Sequence, residues 1–406
     1  MTFFEWIIFF WFMLTLIPPV FSVCLGAIRI HLAAKLNNKG ISTNFPMMEI
    51  LVPIKGVLPD QEKILESLLR QDYPSYNVIF LIESRNDPAS LLIDNLCSRF
   101  PHAKKVITGV AGLCGQKNHN LVQGMQNLSP NTAIIIFCDS SNMVGTNWLT
   151  NFTGPIRTGI FKVVTTFRTF DPRPATLWGI SQAIYSAFLL LLIANKPKPW
   201  GGATAIDRKL FNDLNVIEEW SRNVIDDLAL GNILDRAEIP VFLDPKSLLR
   251  SPLPNQSLSG FMHYMDRQIL FPKWTNPIIW SGTLVFELGL TAATIIAVVI
   301  ATFFPFGLIN PILGWSSYIF ILVVFAAAIL FWSMNPFRIS LFSWLISFLP
   351  FIFVTAFVFA RSLFRNYIDW HGRRYYPARG GVVLCVEVTS PASGPQSGDP
   401  VRTDRQ

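Results

Sequence analysis

The chain has long apolar stretches towards its two ends and a mixed, charged block between them. Residues 3–28 form one apolar run, which is long enough to cross the ~30 Å hydrocarbon core of a bilayer. Three further apolar runs lie near 277–304, 309–333 and 340–360. This pattern predicts an integral membrane protein with a transmembrane anchor over 1–30 and two to three transmembrane helices within 276–361.

Basic residues beside these runs predict their orientation. Arg29, Lys35 and Lys39 follow the first run, so the positive-inside rule places the middle block in the cytoplasm and the N-terminus outside. The basic tail, 362–406, should also be cytoplasmic, with a disordered polar end rich in Pro, Ser and Gly. Because three crossings would place the tail outside, we expect one run to be re-entrant or shallow, and we assign this role to the run that Pro350 interrupts.

Between about 48 and 245 the pattern alternates between strands and helices. The predicted strands are 49–54, 77–82, 106–110, 133–138 and 162–169, and the predicted helices are 60–71 and 88–100. Strands that are apolar throughout are typical of a mostly parallel sheet covered on both faces. The sequence therefore predicts an α/β domain, which we bound at 45–250.

Two shorter apolar stretches predict helices that do not span the membrane. Residues 183–194 are apolar, but about 12 residues are too few to cross, so a buried or membrane-surface helix is expected. Residues 255–275, directly before the C-terminal apolar runs, predict an amphipathic helix at the membrane interface.

Composition narrows the functional classes. Apolar residues make up 51% of the chain, which excludes a disordered protein. The net charge is +7 without a basic run interleaved with aromatic residues, so nucleic acid is not an expected partner. The 5 cysteines form no CxxC pair and no Cys/His cluster with zinc spacing, which favours a reducing compartment. The sequence does not indicate whether the protein forms oligomers.

Acidic residues just past predicted strands are the first candidates for chemistry, because such sheets bind ligands at the carboxyl ends of their strands. Asp139, in IIIFCDSSN, is either a ligand of a divalent cation or a cap of the next element. Asp87, in ESRNDPA, is either a helix cap or an acceptor for a nucleotide base. Asp226 and Asp227 open a helical stretch in VIDDLALG. The helix dipole accounts for one of them, and a general base is the sharper hypothesis for the pair.

Two further features have a functional and a plain interpretation. Lys117, in GQKNHNL, either holds a phosphate or is a solvated surface lysine. Gly201 and Gly202, after Trp200, allow close approach of a ligand to the backbone or form a tight turn. The chain has no GxxxxGK[ST], GxSxG or HExxH motif, so the chemistries that use them lose their usual support.

Eight stretches, in order along the chain, carry a resemblance to a known family. They are PIKGVLPD (53–60), LLRQDYPSYNVIFLI (68–82), NDPA (86–89), QKNHNL (116–121), IIFCDSS (135–141), GGATAI (201–206), IDDLALG (225–231) and WHGRRYYPARGG (370–381). In these stretches the chain resembles the ceramide glucosyltransferase family and its bacterial relatives, which are membrane-bound, inverting enzymes of the GT-A type. The resemblance covers most of the chain.

The resemblance implies a role for several of these residues. Asp87 would lie at the uracil of a UDP-sugar, and Lys55 and Lys117 near the nucleotide. Asp139 would belong to the metal and diphosphate site, with Mg²⁺ or Mn²⁺ as the cofactor, and Asp227 would be the catalytic base. The remaining positions, on the acceptor and diphosphate side, are Gly201, Gly202, Asp226 and Arg373, with Tyr375 beside Arg373 in a cytoplasmic lid.

One motif of the family is missing. The family has (Q/R)xxRW on a helix at the membrane surface, whereas this chain has HYMDRQILFPKW over 263–274. Arg267, Gln268, Lys273 and Trp274 supply similar groups at different spacing, and we expect them on the acceptor and diphosphate side. The alternative is an ordinary interfacial helix in which Trp274 is an anchor and Lys273 reaches the surface.

The sequence therefore predicts a GT-A glycosyltransferase that moves one sugar, by default glucose, from a UDP-sugar to the hydroxyl of a membrane lipid such as ceramide. A hopanoid or another lipid alcohol would need the same architecture. A second hypothesis is transfer to a polyprenyl phosphate, whose oxyanion needs no base. A third is a non-catalytic membrane protein that binds a nucleotide or a lipid, which the altered 263–274 segment favours.

Overall fold

The computed structural model describes residues 2–36 and 44–389 of the chain. The predictions that concern Lys39 and the polar end of the tail, 390–406, lie outside this described part. The helices are α1 (Phe3–Leu36), α2 (Gln61–Leu69), α3 (Ala89–Arg99), α4 (Gln116–Met125), α5 (Trp148–Phe152), α6 (Gly154–Arg157), α7 (Leu177–Ile193), α8 (Arg208–Asp213), α9 (Val216–Trp220), α10 (Asp226–Arg236), α11 (Leu258–Thr275), α12 (Pro277–Phe303), α13 (Pro311–Ser333) and α14 (Leu341–Ser362). The strands are β1 (Met48–Ile54), β2 (Tyr76–Ile82), β3 (Ala103–Ile107), β4 (Ile134–Cys138), β5 (Val163–Thr165), β6 (Arg168–Pro172), β7 (Ala203–Asp207), β8 (Val241–Leu243), β9 (Leu249–Leu253), β10 (Ile368–Trp370), β11 (Arg373–Pro377) and β12 (Val383–Val388).

The middle block folds around a sheet with the strand order β3-β2-β1-β4-β7-β5-β8. β1 pairs in parallel with β2 and β4, and β2 with β3, whereas β7 runs antiparallel to β4 and β5. Side chains alternate along β1, so that Ile50 packs with α2 and α3 on one face and Leu51 packs with α4 and α10 on the other. Burial of both faces explains the apolar strands and confirms the predicted mostly parallel α/β sheet.

Two predicted strands are wrong in detail. The strand predicted over 162–169 is divided, because β5 stays in the main sheet while β6 pairs with β9 in a separate sheet. The strand predicted over 106–110 is β3, which ends earlier. Gly109 has a φ of 79°, and this left-handed conformation ends the extended backbone.

Four helices are long and apolar enough to cross a membrane, namely α1, α12, α13 and α14. α1 continues through Pro18 and Pro19, as membrane helices tolerate. The apolar stretch 183–194 lies in α7, where Ile184 and Leu191 are buried. It therefore matches the buried-helix prediction.

The tail returns to the α/β domain after the last apolar helix. Arg373 on β11 makes an ion pair of 2.7 Å with Glu83, which follows β2. The backbone N–H of Gln116, at the start of α4, donates to the Tyr375 hydroxyl at 3.3 Å. The chain thus leaves the domain at α12 and comes back to it after α14, a path that favours an even number of membrane crossings between these points.

Contacts near Ser347 and Ser362 of α14 are consistent with an even number of membrane crossings. Ser181 on α7 donates to the carbonyl of Ser347 at 3.2 Å, and Lys273 on α11 donates to the carbonyl of Ser362 at 2.7 Å. Both partner helices pack on the α/β domain, α7 against β6 and α11 through the apolar cluster that contains Leu270. The two halves of α14 are therefore held on the domain side, and the helix is continuous at Pro350. This geometry agrees with a shallow helix rather than a re-entrant reversal.

Cysteine labelling tests this path. Leu308 is 72% exposed between α12 and α13, and the natural Cys385 is exposed on β12. In sealed vesicles, a membrane-impermeant maleimide should label Leu308→Cys and Cys385 from opposite faces, with Cys24→Ala as the background and mass spectrometry as the measurement. Labelling of both sites from the same face would mean that α14 crosses the membrane.

Candidate active site

A cavity of about 320 Å³ lies at the carboxyl ends of β1, β2 and β4. Open α/β sheets bind ligands at this edge. Its walls come from the sheet edge, α4, α10, α11 and the tail strands. We call it the sheet-edge cavity, and its polar lining residues include Lys55, Glu83, Lys117, Asp139, Ser140, Ser141, Arg168, Asp226, Asp227, Arg267, Gln268, His371 and Arg373.

The side chain of Lys117 binds two of the acidic groups in this cavity. Its Nζ lies 2.9 Å from Asp139 Oδ1 and 3.1 Å from Asp226 Oδ2, and it donates to the carbonyl of Gly201 at 2.8 Å. Burial lowers the pKa of Lys117, but the neighbouring carboxylates Asp139, Asp226 and Asp227 outweigh burial, and the net pKa is raised. The ammonium group therefore stays charged and joins the end of β4 to the start of α10.

Asp227 is held in place by backbone donors. The N–H of Gly201 donates to Oδ2 at 2.8 Å, and the N–H of Leu228 donates to Oδ1 at 2.7 Å. Burial and the neighbouring Asp226 raise the pKa of Asp227 to about 6, against the lowering effects of Lys117 and of the two N–H donors. A carboxylate with this pKa is a suitable general base near neutral pH.

The two glycines bring the backbone close to these groups. A Cβ atom at Gly201 would lie 2.8 Å from Lys117 Nζ and 3.1 Å from a carboxylate oxygen of Asp226 and of Asp227. At Gly202 it would overlap the indole ring of Trp200. A side chain at Gly201 would therefore displace the Lys117 ammonium, which explains the glycine better than turn formation does.

Helix α11 contributes two of its four predicted residues to the cavity. Arg267 and Gln268 line it, whereas Lys273 and Trp274 do not. Lys273 donates to the carbonyls of Ser362 and Arg365, both at 2.7 Å, and the Trp274 carbonyl accepts from the Gly380 N–H at 2.9 Å. Helix geometry accounts for this difference, and an acceptor-side role of these two residues stays a prediction. Lys273 is six residues beyond Arg267, so its side chain projects from a different side of the helix. Trp274 lies about two turns further along the helix axis than Arg267.

Asp87 lies beside the sheet-edge cavity rather than in its lining. Its Oδ1 accepts from the N–H of Gly56 at 3.0 Å and from the N–H of Ala89 at 2.9 Å. It therefore ties the loop after β1 to the first turn of α3. These contacts match the capping alternative, and the base-binding role remains a prediction.

Lys55 and Arg373 share one carboxylate. Lys55 Nζ lies 2.8 Å from Glu83, and Arg373 lies 2.7 Å from the other oxygen of the same side chain. Partial burial of Glu83 raises its pKa, but these two cations outweigh that effect, and the net pKa is lowered. Sequence reasoning missed Glu83, although its position directly after β2 is the signal that identified Asp139 after β4.

Two arginines line the cavity without an acidic partner. No hydrogen bond or ion pair to the Arg267 side chain is found among the described residues, and burial and the neighbouring Arg168 lower its pKa. The Arg168 guanidinium lies over the rings of Trp200 and Tyr264, at 5.2 and 5.7 Å from their centroids, and its Nε has no partner. Sequence reasoning missed Arg168, for which the charge inside the apolar segment TTFRTF is the available signal. Two guanidinium groups without an acidic partner among the described residues are suited to binding an anion.

His371 is a further cavity residue that sequence reasoning missed. His371 is exposed on the tail side of the cavity; partial desolvation there and the neighbouring cations Arg267 and Lys55 lower its pKa, against the raising effect of Asp139. The imidazole is therefore neutral at physiological pH and serves as a hydrogen-bonding group without charge. Its place in the tail stretch WHGRR is the only local signal for it.

Asp139 is the residue best placed to hold a divalent cation. Among the described residues, no group of three or more His, Cys, Asp or Glu side chains forms a metal site. Mg²⁺ in enzymes often takes one or two carboxylates from the protein and its other ligands from substrate phosphates and water. Asp139, with Ser140 and Ser141 beside it in the lining, fits that kind of site and does not fit a site built by protein groups alone.

Comparison with known proteins identifies the family. The sequence model of glycosyl transferase family 21 matches residues 14–383. The chain belongs to glycosyl transferase family 21. It is also 43% identical over 53 residues to the ceramide glucosyltransferase of Komagataella phaffii (strain GS115 / ATCC 20864), a segment that spans 13% of this chain and 10% of that enzyme. The protein is therefore a glycosyltransferase, and it has helices long and apolar enough to span a membrane.

Solved structures with a related fold include two glycosyl-transferring enzymes. The mannosyltransferase PcManGT from Pyrobaculum calidifontis, in complex with GDP-Man and Mn²⁺, is 14% identical with a TM-score of 0.49, covering 88% of this chain and 99% of its own. Glucosyl-3-phosphoglycerate synthase from Mycobacterium tuberculosis, with Mn²⁺ and UDP, is 14% identical with a TM-score of 0.34, covering 60% of this chain and 82% of its own. At these identities the similarity concerns the fold alone. Family 21 membership and the mostly parallel sheet confirm the predicted GT-A class.

Removal of the Lys117 charge should destabilise this family 21 protein. Lys117→Met leaves the buried Asp226 and the partly buried Asp139 and Asp227 close together without their cation, which should cost about 3 kcal/mol. Uncompensated carboxylates take up protons in the folded state, so the variant should lose stability as the pH rises from 5 to 8. Unfolding in detergent at both pH values, without added divalent cation, measures the effect.

Two further variants are the controls for this prediction. Lys209→Met removes an exposed helical ion pair with Asp213 and should change stability little at either pH. Adding Asp226→Asn to Lys117→Met should restore part of the lost stability. A Lys117→Met protein as stable as wild type at pH 8 would contradict the bridging role.

Proposed function

We propose that this protein transfers one hexose, by default glucose, from a UDP-sugar to the hydroxyl of a membrane lipid such as ceramide, with inversion, on the cytoplasmic side. The observation that carries the proposal is Asp227, a partly buried carboxylate held by two N–H donors at 2.8 and 2.7 Å in a cavity that is also lined by two arginines without an acidic partner among the described residues. A base beside an anion site is the arrangement that single displacement from a sugar diphosphate requires.

Asp227 is the proposed base. The carboxylate takes the proton of the acceptor hydroxyl as the hydroxyl oxygen forms its bond to the anomeric carbon. The bond from that carbon to the diphosphate oxygen breaks, and UDP leaves with the bonding electron pair. No covalent sugar intermediate with the protein is needed, and the configuration at the anomeric carbon inverts.

The diphosphate is proposed to lie against Arg267 and Arg168. Both guanidinium groups line the cavity, and neither has an acidic partner among the residues that the structure describes. A guanidinium group binds phosphate oxygens through paired N–H donors. Arg267 thus supplies the charge that the missing (Q/R)xxRW motif would supply, and Gln268 lies beside it in the lining.

Asp139 is proposed to hold Mg²⁺ or Mn²⁺ together with the diphosphate, and the cation would stabilise the charge on the departing UDP. Lys117, at 2.9 Å from Asp139, neutralises the carboxylate in the absence of the cation. Lys55, at the end of β1, and Asp87, beside the cavity, are proposed to lie on the nucleotide side. Their position at the sheet edge supports this assignment.

The lipid acceptor is supported by the position of the cavity. Its lining includes Arg267, Gln268 and Phe271 of α11, and α11 leads directly into the membrane helix α12. A lipid whose chain stays in hydrocarbon presents its hydroxyl at this level. The tail strands β10 and β11 contribute Trp370, His371, Arg373 and Tyr375 to the opposite wall and would shield the site from water.

Asp227→Asn should lower kcat of lipid glycosylation by roughly 10³-fold while UDP binding is retained. Wild-type kcat should fall as the pH drops through about 6, because the pKa of Asp227 is raised to that value and a protonated carboxyl accepts no proton. The measurement is transfer of labelled UDP-glucose or UDP-N-acetylglucosamine to ceramide, hopanoid, diacylglycerol and polyprenyl phosphate in mixed micelles with Mn²⁺.

Asp235→Asn is the matched control, because it lies on the same helix α10 in ion pairs outside the cavity. It should leave kcat unchanged. Retention of most activity by Asp227→Asn would favour a phosphate acceptor, which needs no base. No transfer by the wild type, with no UDP binding in Mn²⁺, would favour a non-catalytic protein.

Arg267→Gln should weaken UDP binding by about tenfold or more, because it removes a charged donor from the diphosphate site. Lys273→Gln, on the same helix α11, should leave UDP affinity unchanged and lower the unfolding temperature, because Lys273 binds two carbonyls at the end of α14. Titration calorimetry and thermal unfolding measure the two effects. Equal loss of UDP affinity in both variants would contradict the assignment.

A further inference from the structure

A second cavity, of about 220 Å³, lies within the membrane region between α1, α12, α13 and α14. We call it the membrane cavity. Its lining is almost entirely apolar and includes Leu16, Val20, Phe188, Phe286, Leu290, Val324, Leu330 and Phe351. No residue lines both this cavity and the sheet-edge cavity.

Packed aromatic rings separate the two cavities. Phe351 lines the membrane cavity and lies 6.3 Å from the ring of Tyr185. Tyr185 lies 6.1 Å from Tyr264, which in turn packs against Arg168 in the sheet-edge cavity. Tyr185 and Tyr264 are buried, so the membrane cavity is a separate site rather than an extension of the active site.

The membrane cavity contains one carboxyl group, that of Glu287. Glu287 is 8% exposed and lies on α12, a helix long and apolar enough to cross a membrane. An ionisable side chain inside such a segment is costly and marks a functional site by default.

Glu287 has little internal compensation. Thr355 Oγ1 lies 3.4 Å from Glu287 Oε2, but the same hydroxyl lies 2.9 Å from the carbonyl of Ile352 and 3.0 Å from the carbonyl of Phe351. Because a hydroxyl donates one proton, the contact to Glu287, which is the longest of the three, is the weakest hydrogen bond. No other hydrogen bond or ion pair to Glu287 is found among the described residues, so its carboxyl group has unused capacity facing the cavity.

We propose that the membrane cavity binds the hydrocarbon body of a membrane lipid that carries a hydroxyl group, and that Glu287 accepts a hydrogen bond from that hydroxyl. The apolar walls select hydrocarbon, and the carboxyl group of Glu287 between these walls selects a hydroxyl carried by that hydrocarbon. Val20 and Cys24 are exposed and also line the cavity, so the lipid enters sideways from the bilayer. This site goes beyond the proposed transferase activity, because the aromatic rings separate it from Asp227.

Cys24 provides a direct test on the purified, full-length protein in detergent. The probes are the methyl ester of stearic acid with a mid-chain hydroxyl and methyl stearate, which differ only in that hydroxyl. The rate of Cys24 alkylation by N-ethylmaleimide is measured by mass spectrometry, with the exposed Cys385 as the internal reference. The hydroxylated ester should protect Cys24 at a concentration about tenfold lower than methyl stearate, the effect of one buried hydrogen bond.

Three variants separate recognition from a structural role. Glu287→Gln keeps an acceptor oxygen, so the hydroxylated ester should still protect Cys24 better than methyl stearate. In Glu287→Leu, the two esters should protect Cys24 equally. Thr355→Val removes the competing internal donor and should keep or increase the preference. Thermal unfolding of each variant checks that it is folded. If Glu287→Leu is not folded, the preference in the wild type and its retention in Thr355→Val remain the test.

Three outcomes would overturn the proposal: equal protection by both esters in the wild type, no protection at all, or a preference that survives in Glu287→Leu. Loss of the preference in Thr355→Val would also overturn it, because Glu287 would then serve only the contact between α12 and α14. These measurements use no sugar donor and do not depend on sugar transfer. Their result is therefore independent of whether the transferase proposal holds.

Discussion

The Lys117 ammonium group is the interaction on which the active-site region depends. Asp139 comes from the end of β4, and Asp226 and Asp227 come from the first turn of α10, nearly ninety residues later. Three carboxylates this close would repel one another in a buried cavity. Lys117, from α4, lies 2.9 Å from Asp139 and 3.1 Å from Asp226 and so fixes these three segments around one charge. Gly201 has no side chain because the space that a Cβ would take belongs to that ammonium.

Local rules predicted the parts of this site that depend on one element at a time. Asp139 follows a buried strand and Asp227 begins a helix, and both positions are evident from the pattern of residues. The contacts of Lys117, Arg168 and His371 depend on segments far apart in sequence, so no spacing rule predicts them. Lys273 and Trp274 were grouped with Arg267 by residue type, but the phase of α11 directs Lys273 elsewhere and its rise carries Trp274 about two turns away. The division of 162–169 into β5 and β6 is likewise a tertiary effect, because β6 leaves the sheet to pair with β9.

The membrane region shows the same limit of sequence patterns. Length and hydropathy identify α1, α12, α13 and α14 equally as possible spans. The contacts at the two halves of α14, to Ser181 and Lys273, distinguish a shallow helix from a crossing one, and these are tertiary contacts. The basic residues after α14 are the sequence signal for an even number of crossings, because the positive-inside rule places them on the same side as the domain. Asp266, buried on α11, pairs with Arg361 and Arg365 and holds that basic segment at the domain.

The charges of the sheet-edge cavity fall into two compensated groups and one uncompensated pair. Glu83 is matched by Lys55 and Arg373, and the carboxylates around Lys117 share its ammonium. Within the described part of the chain, Arg168 and Arg267 have no such partner, and they lie on the side of the cavity nearest α11. An anion that binds there relieves the repulsion between two guanidinium groups, whereas a neutral lipid does not. The charge balance therefore favours an anion as the occupant of this side of the cavity.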